Sequence, residues 1–298
     1  MSSSITDLLP IREVARQTGV NAVTLRAWER RYGLIQPHRT PKGHRLYTPA
    51  NVEQIHTIVS WLERGVAVGQ VRDLLGRPRL VAPSDATPWN TWSEKLLTGL
   101  LRFDSTSVDA VYNQAMASFP VPAVCEHLLE PALAHLQRRW DGNFGDEVER
   151  VFAYTWLRCK LAARLYQNNY LATGDAVVLA NLSQTQCEPG AWLLAIMLSH
   201  AGHRIELLEW SVPAAELGLI INQQRVRALI LYSGQALQAV QLRRELPSLM
   251  QKTNCAVHCA GPAALIHHEE LAQLSIVTTA ESPCAAFAWL DQSLRGTP

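Results

Sequence analysis

The sequence predicts three parts in succession: a mostly α winged helix-turn-helix head, a helical bundle, and an α/β domain of flavodoxin-like (Rossmann-like) parallel-sheet type. Three observations predict it. Near the start, two short apolar periods of helical spacing are joined through "TGVN" and followed by a cationic turn punctuated by Pro and Gly. From Trp89 to about Tyr170 the helical periodicity persists with three breaks. From Asp175 onward, five apolar runs alternate with helix-like segments. The expected division is a head over 1–76, a linker over 77–90, a bundle over 91–170 and a sheet domain over 171–298.

In the head, Ile11, Val14, Ala15 and Thr18 share one helical face, with Pro10 suited to its start and Gly19 to its end. Asn21 is a good N-cap for a second helix whose apolar face is Leu25, Trp28 and Tyr32. That helix is expected to expose Thr24, Arg26, Ala27, Arg30 and Arg31, small and cationic groups suited to a phosphate-lined major groove. The stretch "LIQPHRTPKGHRLYT" then reads as a β wing. Leu46 and Tyr47 pair as a short strand, and Arg39, Lys42, His44 and Arg45 sit at the tip around Gly43. Val52, Ile55, Val59 and Leu62 predict a third helix, and Val68, Val71, Leu74 and Leu75 a fourth.

"GRPRLVAPSDATPWN" reads as the linker. The bundle helices are expected to break near Asp104, at Phe119–Pro122 and at Asp141–Asn143. In the last part "AVVLANL", "IELLEW", "ALILYS", "AVHCA" and "SIVT" predict five parallel strands, and Trp192–His200 a helix packed on the sheet. Cys255 and Cys259 flank His258 in a pattern that buried-strand alternation explains, so no metal site is expected. His267 and His268 are expected on an exposed helix face.

Charge separates the parts. Residues 1–80 hold 12 Lys/Arg against 6 Asp/Glu, although the whole chain carries only +1. A basic head on a mildly acidic body points to a polyanionic partner. No apolar h-region follows basic residues at the start, and the apolar runs fall short of the roughly 20 residues of a membrane span. Six irregularly spaced cysteines then read as reduced thiols, so a cytoplasmic, nucleoid-associated protein without membrane contact is expected.

The segment "IREVARQTGVNAVTLRAWERRYGLIQPHRTPKGHRLYTPANVEQI" resembles the DNA-binding domain of the MerR transcription regulators, specifically the branch containing CarH, LitR, MlrA and BluR. The match runs without a gap over roughly residues 9–76, with Ala22 where that branch has Pro. The resemblance implies a homodimer on palindromic promoter DNA, with RNA polymerase as a further partner by family analogy. It places Asn21, Thr24, Arg26, Arg30 and Arg31 on the recognition helix, and Arg39, Lys42, Gly43, His44 and Arg45 on the wing.

The rest of the chain is similar in architecture to the cobalamin-binding region of that branch. There a bundle Trp precedes a Glu-His pair; here Trp140 precedes Glu149-Arg150, one residue short and without the His. Trp140 is either a cap over a corrinoid or an aromatic core anchor at a helix end. After the first strand the branch carries an acidic residue, then a His that ligates cobalt, then a Gly. Here these positions are Thr185, Cys187 and Gly190. A Ser after the third strand and a Gly after the fourth become Ser233 and Gly261. Loss of the imidazole removes the nitrogen ligand together with its acidic partner, and Pro189 suits a rigid strand-to-helix turn.

The resulting expectation is a sequence-specific transcription regulator with no catalytic residues and no cofactor. A signalling protein or another ligand would govern it; in that branch such partners are linked to cyclic-di-GMP or blue light. The alternative in the same class is a cobalamin-dependent, light-sensing repressor. A B12-dependent transferase or mutase and a drug-sensing efflux regulator are rivals that the head and the C-terminal fold respectively disfavour.

Overall fold

The computed structural model describes residues 8–40, 43–63, 68–74, 88–140, 142–185 and 187–296. Lys42 and Leu75 lie outside these residues, as does the expected linker up to residue 87. The chain forms two compact units, Met1–Phe152 and Ala153–Pro298, each taken here by itself.

In the first unit, β1 (Leu9–Pro10) leads directly into α1 (Ile11–Thr18), which ends at Gly19 in the left-handed region, φ 70°. The Asn21 side-chain oxygen accepts the Thr24 backbone N–H at 2.8 Å and starts α2 (Ala22–Ala27). α2 runs on into a wider π turn, Trp28–Tyr32, before Gly33. β2 (His38–Arg39) and β3 (Arg45–Tyr47) form the wing, and β3 also pairs with β1, giving the antiparallel order β1-β3-β2. The β1 partner was not expected, because a two-residue strand carries no periodicity. α3 (Pro49–Glu63) and α4 (Val68–Leu74) complete the head. Its core holds Val14, Leu25, Trp28, Tyr47, Ile55 and Ile58, all fully buried. On α3 the buried face is Ile55, Ile58 and Leu62, while Val52 and Val59 are half-buried.

The bundle opens with α5 (Pro88–Leu101), within a residue of the Trp89 at which helical periodicity begins in the sequence. Asp104 caps α6 (Ser105–Ser118) by accepting the Ser107 N–H at 3.1 Å. α7 (Val121–Val124) passes through a π turn, Cys125–Leu129, into α8 (Glu130–Arg139). Trp89, Trp92 and Phe119 pack ring against ring, with Trp89 and Phe119 centroids 4.3 Å apart. α2 of the head lies against α6. Thr24 Oγ1 donates to the Met116 carbonyl at 3.1 Å, and Trp28 Nε1 donates to the Ser118 carbonyl at 2.8 Å, both buried. The expected exposure of Thr24 and Ala27 is therefore corrected. This helix has a second packed side, supplied by a segment some ninety residues away, and Thr24 is 0% exposed.

α9 (Asp146–Leu171) contains the boundary between the units. In the second unit, the parallel strands are β4 (Ala176–Asn181), β5 (Ile205–Leu208), β6 (Val226–Tyr232), β7 (Ala256–Ala260) and β8 (Val277–Thr278). They lie in the order β5-β4-β6-β7-β8, each within one or two residues of its expected place. β4 is buried at every position, as a central parallel strand covered on both faces should be. α10 (Pro189–His200) is buried from Ala191 through Ser199, packed between the sheet and α15 (Pro283–Gly296). On the other face α11 (Leu217–Gln223), α12 (Leu246–Met250), α13 (Pro262–Ile266) and α14 (His268–Gln273) cover Val178, Leu229, Leu231, Val257 and Cys259. Because β4 and β6 are adjacent and their connections leave in opposite directions, a crevice opens at their C-terminal ends.

Candidate functional site

The head surface is built by α2 and the wing. Arg26 on α2 and Arg30 and Arg31 in the π turn that follows are exposed, whereas Thr24 and Trp28 are buried against α6. Asn21 is half-buried and its side-chain oxygen is engaged in the cap. At the wing tip, Gly43 has φ 81°, a conformation only glycine adopts without strain. Thr40 donates its N–H to the His44 carbonyl at 2.9 Å, and His44 and Arg39 are exposed. Glu29, unmarked in the sequence reading, joins helix to wing. Its Oε1 accepts from Arg39 at 2.7 Å and its Oε2 accepts from Arg45 Nε. Burial alone would raise the Glu29 carboxyl, but the two guanidiniums outweigh it and hold it below the usual carboxylate range.

Trp140 is 8% exposed and donates its indole N–H to Glu149 Oε2 at 3.1 Å. Glu149 also receives both donors of Arg139, at 3.0 and 3.1 Å, and Arg150 lies over the Trp140 ring. The hydrogen bond from Arg139 lowers the Glu149 carboxyl. Both groups are thus engaged within the turn that links α8 to α9.

The crevice of the second unit brings together the loop after β4 and the end of β6. Ser183 Oγ donates to Glu188 Oε2 at 2.7 Å and accepts the Gly234 N–H at 2.9 Å. It also lies 3.3 Å from Ser233 Oγ. Burial pushes the Glu188 carboxyl up, against the Ser183 hydroxyl and the Gly234 and Gly190 backbone N–H groups. A Cβ at Gly234 would sit 2.5 Å from Glu188 Oε2, and one at Gly190 would sit 1.9 Å from the Tyr232 hydroxyl. Gly190 and Gly234 are small because the chain's own Tyr232 and Glu188 occupy that space. Gly261, at φ 86°, lets the chain turn beside the Ser233 carbonyl. Cys187 is pushed up to about 12, by burial first and then by the carboxylates of Glu209 and Glu188, so its sulfur is a neutral thiol. Thr185 is exposed; its carbonyl accepts from the Asn181 amide at 3.3 Å. Glu209 takes the Trp192 indole N–H at 3.2 Å.

Sequence reasoning missed Ser183, Glu188 and Tyr232 here, since a lone acid before Pro189 gives no signal of burial. Elsewhere, His258 is buried at 4% exposure against Trp289, on the opposite side of β7 from Val257 and Cys259. Among the described residues, no cluster of three His, Cys, Asp or Glu side chains is placed to hold a metal. His267 is not on an exposed face as expected: its side chain is 13% exposed and its Nε2 accepts the Leu237 N–H at 3.1 Å. It stands at the break between α13 and α14, where the side chain turns inward; only His268 is exposed. No helix among the described residues is long and apolar enough to cross a membrane.

Comparison with known proteins places this geometry. Residues 9–77 match the MerR HTH family of regulatory proteins, and residues 92–164 match a B12 binding domain. The HTH-type transcriptional repressor CarH of Myxococcus xanthus is 30% identical over 70% of this chain and 73% of its own length. The HTH-type transcriptional regulator MlrA of Salmonella typhimurium (strain LT2) is 35% identical over 69% of this chain and 81% of its own. The chain belongs to the MerR-family transcriptional regulators of the CarH and MlrA type. The fold extends the likeness. The monomethylamine corrinoid protein of Methanosarcina barkeri superposes with a TM-score of 0.51 at 13% identity, covering 68% of this chain and 99% of that one. The crevice of the second unit lies in the part of the chain that shares this fold.

Proposed function

We propose that this regulator binds a palindromic promoter site as a homodimer through Arg26, Arg30, Arg31 and the wing residues Arg39, His44 and Arg45, and works without cobalamin. Thr24 leaves the set of DNA contacts because it is buried against α6. Gly43 serves the turn, and Asn21 serves the cap.

The observation that carries cobalamin independence is the filled crevice. Tyr232 lies against Gly190, Glu188 lies against Gly234, and Cys187 offers a protonated thiol where the family's imidazole would supply a neutral nitrogen. Trp140 and Glu149 bind one another, which favours the core anchor over a corrinoid cap. These residues do not fit a corrinoid, so a protein partner or a different ligand governs the sensory region. The family is one of regulators, and no catalytic role is assigned to any residue.

The match of residues 92–164 to a B12 binding domain and the kinship to CarH favour a second reading, a cobalamin-dependent repressor. One experiment separates the two. Full-length protein is mixed in the dark with excess adenosylcobalamin or hydroxocobalamin and passed over a sizing column. The expected result is corrinoid eluting apart from protein, with DNA binding unchanged by light. Stoichiometric co-elution with a light-sensitive spectrum establishes the second reading instead.

A further inference from the structure

We propose that Glu29 is a positioning residue for DNA recognition: from the reading helix it fixes the directions of the two wing guanidiniums, Arg39 and Arg45, and so raises the preference for a specific site over arbitrary duplex. The two arginines are direct cross-strand partners in the β2–β3 register. Like charges placed opposite one another on a two-stranded ribbon repel. A single carboxylate set behind them removes that repulsion and gives each guanidinium one fixed bond.

The details match this role. Glu29 is 16% exposed, behind Arg45 at 22% and Arg39 at 53%, so the carboxylate is the inner partner and the cations are outermost. Arg45 uses Nε and Arg39 uses one terminal nitrogen, which leaves the remaining N–H groups of each for a phosphate or base edge. The carboxyl is held ionised by the pair. Glu29 also departs from the plain electrostatics of a nucleic-acid surface, because an acid beside the wing weakens the pull on any phosphate. Its presence is explained if it exchanges sequence-independent attraction for orientation, and held side chains discriminate better than free ones.

The inference rests on the wing contacting DNA, and the experiment keeps the two apart. A binding site is selected from a random duplex library with wild-type full-length protein, and a scrambled duplex of equal length serves as reference. Affinities for both are measured at several salt concentrations. Glu29→Gln is expected to lower affinity for the selected site by about tenfold, while affinity for the scrambled duplex holds or rises. Glu29→Asp keeps the charge and shortens the reach; it lowers site affinity and leaves the scrambled duplex unchanged. In a double-mutant cycle, Arg39→Gln costs about tenfold in the wild-type background but less than about threefold beside Glu29→Gln. An equal change on both duplexes, unchanged site affinity in Glu29→Asp, or an Arg39→Gln effect independent of residue 29 overturns the positioning role. Full affinity in both Arg39→Gln and Arg45→Gln overturns the wing reading on which it rests.

Discussion

The seam between α2 and α6 gives the most quantitative prediction. Trp28 is fully buried and donates to the Ser118 carbonyl at 2.8 Å, while Thr24 donates to the Met116 carbonyl at 3.1 Å. Trp28→Phe keeps an aromatic ring in place but leaves that carbonyl unpaired, at about 1–3 kcal/mol. The lost ring area adds about 1 kcal/mol. Thr24→Val is nearly isosteric and keeps β-branching, so it isolates the hydroxyl bond, at about 1 kcal/mol. Both groups act on one seam one helical turn apart, so their effects should couple rather than add. The assay is amide exchange in full-length protein, reading α2 and the last turn of α6. The sum, at least about 2 kcal/mol in Trp28→Phe, accelerates exchange there by about 30-fold or more. Thr24→Val should accelerate it about fivefold, and Thr24→Ser, which keeps the hydroxyl, should stay near wild type. Exchange within twofold of wild type in both Trp28→Phe and Thr24→Val would refute the seam.

Three further outcomes follow from the second unit. Gly190→Ala places a Cβ 1.9 Å from the Tyr232 hydroxyl and should cost about 2–4 kcal/mol in urea unfolding, with partial recovery in Gly190→Ala/Tyr232→Phe; an unchanged midpoint would show that Tyr232 does not fill the crevice. The Glu188 carboxyl is raised above its ordinary value of about 4.5, so the stability linked to it is complete below that pH and falls as pH rises through the raised value. Glu188→Gln should remove this decline from a stability series run upward from pH 4, and a wild-type-minus-variant difference that grows with pH contradicts it. Cys187, at about 12, is about one part in ten thousand thiolate at pH 8. Mass spectrometry after limited alkylation should find the exposed Cys159 modified and Cys187 intact; comparable rates at the two would refute the protonated thiol.

Much of this architecture was legible in the residues. Asn21, Gly19 and Asp104 each act through chemistry that extends only a few residues along the chain, and each performs the expected capping or termination. The five strands were readable because burial on both faces leaves unbroken apolar runs between polar turns. Thr24 was misread for a physical reason. A small polar residue on a cationic helix is exposed unless another element covers it, and the covering carbonyl of Met116 belongs to a helix with no local signal linking it to the head. Tyr232 and Gly190 are likewise distant in sequence, so the closeness that demands a glycine at 190 has no local signal.

The two acids missed in the sequence make the same point about function. Glu29 and Glu188 share one side chain, and their surroundings drive them in opposite directions. Two guanidiniums hold Glu29 ionised, whereas for Glu188 burial raises the carboxyl in spite of the hydroxyl and amide donors that act the other way. The first can orient cations towards a polyanion without neutralising both of them. The second packs against Gly234 at the ends of β4 and β6, where Ser183 donates to it. Position in the chain distinguishes neither role, because each depends on which strand end or wing lies opposite. In the second unit, Tyr232 against Gly190 and Glu188 against Gly234 bring the ends of β4 and β6 into close contact.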